Sequence, residues 1–263
     1  LGRSTIAAPG AEGEPRAADG ERPGTEALLE EIARSRLEAV RREARELLRF
    51  LSLLLPPAPI RYVQRSGRFD GAALDALVED CRRALLLSPD EEDGLLGFSH
   101  DSIETLTRAE ALRKPELIGA AMEVLREASE AGDDRALFAL SQLVMDGEAR
   151  RIGASGLSRS ADLALLKRAA ERGLAFRSAE EALRFAEAAL QLRDTDADEL
   201  HLRMIAHEAA YQLDNVAAMS RHFAHIYASR DRLSVNRARL LWISHAYAAS
   251  SFRGALRIGW RAL

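Results

Sequence analysis

The stretch Ala182-Leu-Arg-Phe-Ala-Glu-Ala-Ala-Leu190 decides the fold, because it returns as Ala255-Leu-Arg-Ile-Gly-Trp-Arg-Ala-Leu263. The two share five residues and lie 73 residues apart. A weaker copy, Ala218-Met-Ser-Arg-His-Phe-Ala-His-Ile226, sits about half-way between them. A period near 36 or 37 predicts stacked helical hairpins, each burying its apolar face against the next. Such stacks are usually surfaces for other proteins rather than catalytic sites. The last copy ends at Leu263, and the chain begins at Leu1 rather than Met. The sequence therefore reads as a segment of a longer polypeptide, cut in mid-repeat.

Outward from the repeat, only helical patterns are expected from Pro115 onward. They fall near 115–131, 133–146, 160–173, 178–192, 196–213, 215–229, 232–249 and 252–263. Gly132, Gly147 and Gly173 stand where helices are expected to stop. Ser178 and Asp214 or Asn215 stand where they are expected to start. Upstream, residues 1–24 hold five Gly and three Pro, too little to bury a core, and read as a flexible linker. Thr25 is expected to cap one long helix reaching Leu55, ended by Pro56, Pro57 and Pro59. Ile60-Arg-Tyr-Val63 reads as a short strand or an extended connection, and Asp70 as the cap of a helix to about Leu87. An acidic turn, Ser88-Pro-Asp-Glu-Glu-Asp-Gly94, leads to Leu95-Leu-Gly-Phe98 and a helix opened at Ser99–Asp101.

Composition agrees with an all-α chain. Ala, Leu, Arg and Glu dominate, and aromatics are only 5% against 47% hydrophobic residues. The net charge of −4 gives no overall pull toward nucleic acid or an acidic membrane. Residues 221–263 are the exception, with eight Arg and the single acid Asp231. Cys81 stands alone, which excludes an internal disulfide and fits a reducing, cytoplasmic setting. No apolar run approaches the roughly 20 residues needed to span a bilayer.

The order of pieces resembles the middle of large signalling proteins that join a STAND-type, AAA-like NTPase to helical repeats. In that family the NTPase ends in a winged-helix piece with an aromatic-x-His-Asp motif, which Phe98-Ser99-His100-Asp101 fits. Ser178-Ala179-Glu-Glu-Ala182-Leu-Arg-Phe185, Glu199 through Tyr211 and Arg237 through Leu263 resemble the repeat helices that follow. After the His-Asp pair this chain has Ser102-Ile-Glu-Thr-Leu-Thr107, where the family carries a Gln-rich, Ala-Ala-aromatic run. The resemblance implies a winged-helix-like portion within 25–112 and a TPR-like α-solenoid over 113–263. It also implies a nucleotide-sensing role for His100, with Asp101 capping the next helix and steering the ring. An imidazole donates readily to a phosphate oxygen. The parent protein would then hold ATP or ADP. This chain has no Gly-x-x-x-x-Gly-Lys-(Ser/Thr) loop and no cofactor is expected in it.

Other candidates point to plainer roles. His222 and His225 share a helix face three apart, but lack the further ligands of a zinc site, and no metal is expected. Gly153-Ala-Ser-Gly156 lacks the Gly-x-Ser-x-Gly pattern of a nucleophile turn. Glu180-Glu181 and Asp196/Asp198 sit at helix starts, where carboxylates favour the dipole. Arg253, Arg257 and Arg261 form a basic stripe on the last expected helix, suited to acids on a neighbouring helix or domain. The reading is a non-catalytic signalling scaffold that binds proteins or neighbouring domains. A free-standing TPR-like adaptor is the alternative, and a DNA-binding regulator a weaker one.

Overall fold

Leu47, Leu48 and Leu51 line one side of an early helix, and around them the first half of the chain closes. The structure, a computed structural model, describes residues 23–88, 94–147, 159–192, 198–229 and 231–248. Helices α1 (Pro23–Ala39) and α2 (Arg42–Leu53) replace the single long helix expected from the sequence. Arg41 lies between them in extended backbone, with φ −62° and ψ 158°. Nothing local demands this break. Both helices pack against α5 (Asp101–Ala111), which one straight rod could not do along its length, so tertiary packing overrides propensity.

The expected strand at 60–63 is displaced. Ala58–Pro59 forms β1, and Ile60–Arg65 is helix α3, because Pro59 takes the extended N-cap position and its fixed φ suits a helix start. Helix α4 (Gly71–Arg83) follows Asp70, which occupies the N-cap without a side-chain cap bond. Strand β2 (Leu95–Leu96) pairs antiparallel with β1, Ala58 opposite Leu96 and Pro59 opposite Leu95. Leu87 bridges Phe98, and the Ser88 N–H donates to the Gly97 carbonyl at 2.9 Å. Residues 86–88 and 97–99 thus run side by side, antiparallel.

From α6 (Pro115–Glu130) and α7 (Asp134–Met145) onward every described element is a helix: α8 (Arg159–Ala175), α9 (Ala179–Leu192), α10 (Glu199–Gln212), α11 (Val216–Ala228) and α12 (Arg232–Ala248). Among the described residues the chain is all-α apart from the two-residue strands, and successive helices from α6 pack on one another. No described helix is long and apolar enough to cross a membrane.

Gly132 and Gly147 end α6 and α7 as expected, with φ +92° and +73°. Gly173 does something else. It lies inside α8, where a Cβ would come within 3.1 Å of the Ala182 backbone nitrogen. It is small so that α9 can approach, and Arg177 takes the left-handed turn position instead, with φ +61°.

This turn fixes the repeat. The Ser178 N–H donates to the Gly173 carbonyl at 2.8 Å, and the Asn215 N–H to the Ala210 carbonyl at 2.9 Å. Arg177 and Asp214 both sit at positive φ. The α8–α9 and α10–α11 turns are therefore equivalent at a spacing of 37, with Met219, not Ala218, as the counterpart of Ala182. Sequence identity alone favours the wrong register by one residue. At 37, buried Ala182, Phe185 and Ala189 match buried Met219, His222 and Ile226.

Candidate functional site

His100 is held by the end of the antiparallel segment. Phe98 is half-buried against the core, the Ser99 N–H donates to the Leu86 carbonyl at 3.2 Å, and the Ser99 hydroxyl donates to the Leu85 carbonyl at 2.5 Å. His100 itself is exposed, in extended backbone at the N-cap of α5. Its Nδ1 accepts from the Ser102 N–H at 3.1 Å. That bond puts the proton of the neutral ring on Nε2, a donor available to an oxygen. Asp101 is the first helical residue rather than the cap, since His100 caps the helix itself. The acid in the first turn still favours the helix dipole.

A second group was legible only in part. His222, 1% exposed, lies between Glu187 on α9 and Arg203 on α10. Its Nε2 is 3.2 Å from a Glu187 oxygen, and its Nδ1 is 3.3 Å from an Arg203 nitrogen. Arg221 pairs with the same Glu187 oxygen, and Arg203 with Glu199 at 3.3 Å. Glu187, Leu190, Gln191, Arg203, Arg221 and His222 line a cleft of about 320 Å³ between α9, α10 and α11. Burial pushes the His222 imidazole down to about 4, Glu187 pulls it back up, and Arg203 and Arg221 lower it further. The ring is neutral at pH 7, receiving from Arg203 and donating to Glu187. Sequence reading flagged His222 but missed Glu187, Arg203 and Arg221. The available signal was register: His222 fills a slot that is Phe185 one repeat earlier, and a polar ring in an apolar slot needs partners.

His207 is buried completely, with Nδ1 3.1 Å from the Met219 carbonyl and Nε2 3.2 Å from the Ala238 carbonyl. A neutral ring carries one N–H and donates to one of these carbonyls, tying α10 to α11 or to α12. Burial lowers its pKa, against the upward pull of the two carbonyls. The other histidines are dispersed. His201 meets Glu171 at 2.7 Å, His245 meets Asp214 at 3.1 Å, and His225 is 3.9 Å from Glu199. Among the described residues no cluster of His, Cys, Asp and Glu suits a metal ion. Cys81 is buried, and burial raises its thiol to about 12, which makes it unreactive.

Glu180 and Glu181 lie in the first turn of α9, and Asp198 pairs with Lys167 at 2.5 Å. The residues Gly153–Gly156, Asp196 and the stripe Arg253, Arg257 and Arg261 lie outside the described residues.

The chain matches no family model, no curated protein and no solved structure.

Proposed function

We propose that the chain is a non-catalytic interaction and relay region. A winged-helix-like portion is joined to a TPR-like stack of helical hairpins, of the kind that follows a STAND-type ATPase module in a signalling protein. The observation that carries this reading is the equivalent turn and close helix approach at a 37-residue spacing, Gly173 on Ala182 and Ala210 beside Met219. Hairpins repeated in this way expose a continuous surface rather than an enclosed reaction site.

The order α2, β1, α3, α4, an antiparallel return and β2 back onto β1 supports the winged-helix-like part. A relay needs stiff joints, and several side chains supply them. Arg108 donates to the Ser52 carbonyl and pairs with Asp146 at 2.6 Å. Arg61 pairs with Asp133 at 2.9 Å, and Arg135 donates to the Pro57 carbonyl at 2.7 Å. His100, with Nε2 free to donate outward, is the nucleotide-sensing residue in this reading. The nucleotide itself would be held by the parent protein, and the partners are proteins or neighbouring domains.

The test is hydrogen exchange of α8–α12 in the full protein with ATP against ADP. The expected result is a nucleotide-dependent difference that His100→Ala removes. Identical exchange with both nucleotides would overturn the relay. That outcome favours a second reading, a free-standing adaptor, which the missing phosphate-binding loop supports.

A further inference from the structure

Helices α1, α2 and α5 border a cleft of about 180 Å³. Arg34 and Glu38 reach it from α1, Arg45 and Arg49 from α2, and Leu106 and Glu110 from α5. Each pair is four residues apart, a spacing that puts both members on one helix face. Because α1 and α2 both pack on α5, the three faces meet. Leu37, 8% exposed, and Leu106, packed against the core, make part of the lining apolar. Charges beside such a wall are less screened than charges in open water.

The charged groups divide into those already engaged and those that are not. Arg49 is fully engaged. Its Nε and Nη2 lie 2.8 and 2.6 Å from one Glu110 oxygen, and its Nη1 lies 2.9 Å from Glu46, which also holds Lys114. Two cations and two carboxylates balance there, so this wall is rigid and neutral overall. Arg34 and Arg45 are different. Neither guanidinium has a hydrogen bond or an ion pair among the described residues, and the Arg45 Nε is buried without an acceptor. Only Glu38 opposes them in the cleft, and it pairs with neither. One positive charge is therefore left over, on groups that lack the acceptors a partly buried cation requires.

We propose that this cleft binds a phosphate group between Arg34 and Arg45. A guanidinium offers a planar fork of donors that matches two oxygens of an oxyanion. A carboxylate has two oxygens and satisfies one fork. Two forks on separate helices call for a tetrahedral anion with oxygens for both. The anion offsets the surplus charge, gives Arg45 an acceptor and ties α1 to α2 across the break at Arg41. The inference goes beyond the proposed function and uses neither the hairpin stack nor a response to ATP or ADP.

The test is equilibrium dialysis of the full chain against labelled inorganic phosphate at constant ionic strength. Saturable uptake of one phosphate per chain is expected. Arg45→Gln should weaken it about tenfold or more, because a hydrogen bond to a charged group contributes that much. Arg45→Lys, which keeps the charge and loses the fork, should weaken it less. Arg34→Gln should also weaken it, and decides the matter should Arg45→Gln not fold, since Arg34 is exposed. Arg83→Gln, an exposed position on α4, should change nothing. Displacement by O-phosphoserine would give the site to a phosphomonoester, and no displacement would give it to the free ion. The absence of saturable uptake, or uptake unaltered in both Arg34→Gln and Arg45→Gln, would overturn the proposal. So would acetate that competes as well as phosphate, which would make this a carboxylate site.

Discussion

Between residues 33 and 144 the chain closes one core of Leu, Phe, Tyr and Val drawn from α1 through α7. From residue 166 to 246 it lays down a series of smaller seams richer in alanine: Ala169, Ala170, Ala186 and Ala189 among Leu166, Phe185, Leu192, Leu202 and Ile205, then Ala182 with Ala209, then Ala210 with Ala218. Large side chains fill a volume and make distant segments depend on one another. Small ones let backbones approach, and each helix then depends mainly on its neighbours. The first region is suited to acting as one stiff body. The second leaves edges, such as the polar cleft at His222.

The largest effect is expected where the shared core is hollowed. Phe50 is fully buried, its ring centroid 6.1 Å from that of Phe69. Phe50→Ala should cost about 3–5 kcal/mol. Hydrogen exchange should quicken across α2 through α6 and much less in α10 and α11. An equal loss in both places would show one cooperative unit and erase the contrast between the regions.

A smaller effect sharpens it from the other side. His222 is held neutral in the folded state with its pKa down at about 4, while the unfolded chain takes a proton below about 6.5. Its contribution is complete above about pH 6.5 and is lost as pH falls toward 4, at about 1.4 kcal/mol per unit. His207, lowered in the same direction, adds a slope of its own. Urea unfolding at pH 7 and pH 5, compared between the parent and His222→Gln, should show a shallower acid loss in the variant. Equal slopes would mean that burial beside Arg203 and Arg221 does not hold the ring neutral.

The smallest effect belongs to the joint between regions. Arg172 on α8 meets Asp134 on α7 through two bonds of 2.7 and 2.8 Å, with Arg172 lying 5.1 Å from the Phe176 ring. The pair is half-exposed, so Asp134→Asn should shift the urea midpoint only slightly, and less in high salt. A loss of several kcal/mol, read as a shift in the urea midpoint, would make this ion pair a principal tie between the regions.

The sequence was most legible where helices obey local rules. The ends at Gly132 and Gly147 and the cap at Asn215, which accepts from the Ala218 N–H at 3.0 Å, follow from backbone preference and side-chain reach. It was least legible where a distant contact decides. The break at Arg41 comes from packing on α5, and Gly173 is dictated by Ala182 across the hairpin rather than by the end of its own helix. The partners of His222 lie on two other helices, 19 and 35 residues away, which no local pattern reveals. His100 was legible as a motif, but its role as its own helix cap depends on a ring orientation that residue order does not encode.

The alanine seams have a mechanical corollary. Pulled from its ends, the first region would resist until its shared core gave way in a single rupture. The second would yield hairpin by hairpin, each release lengthening the chain by a similar step and each relaxation winding it back.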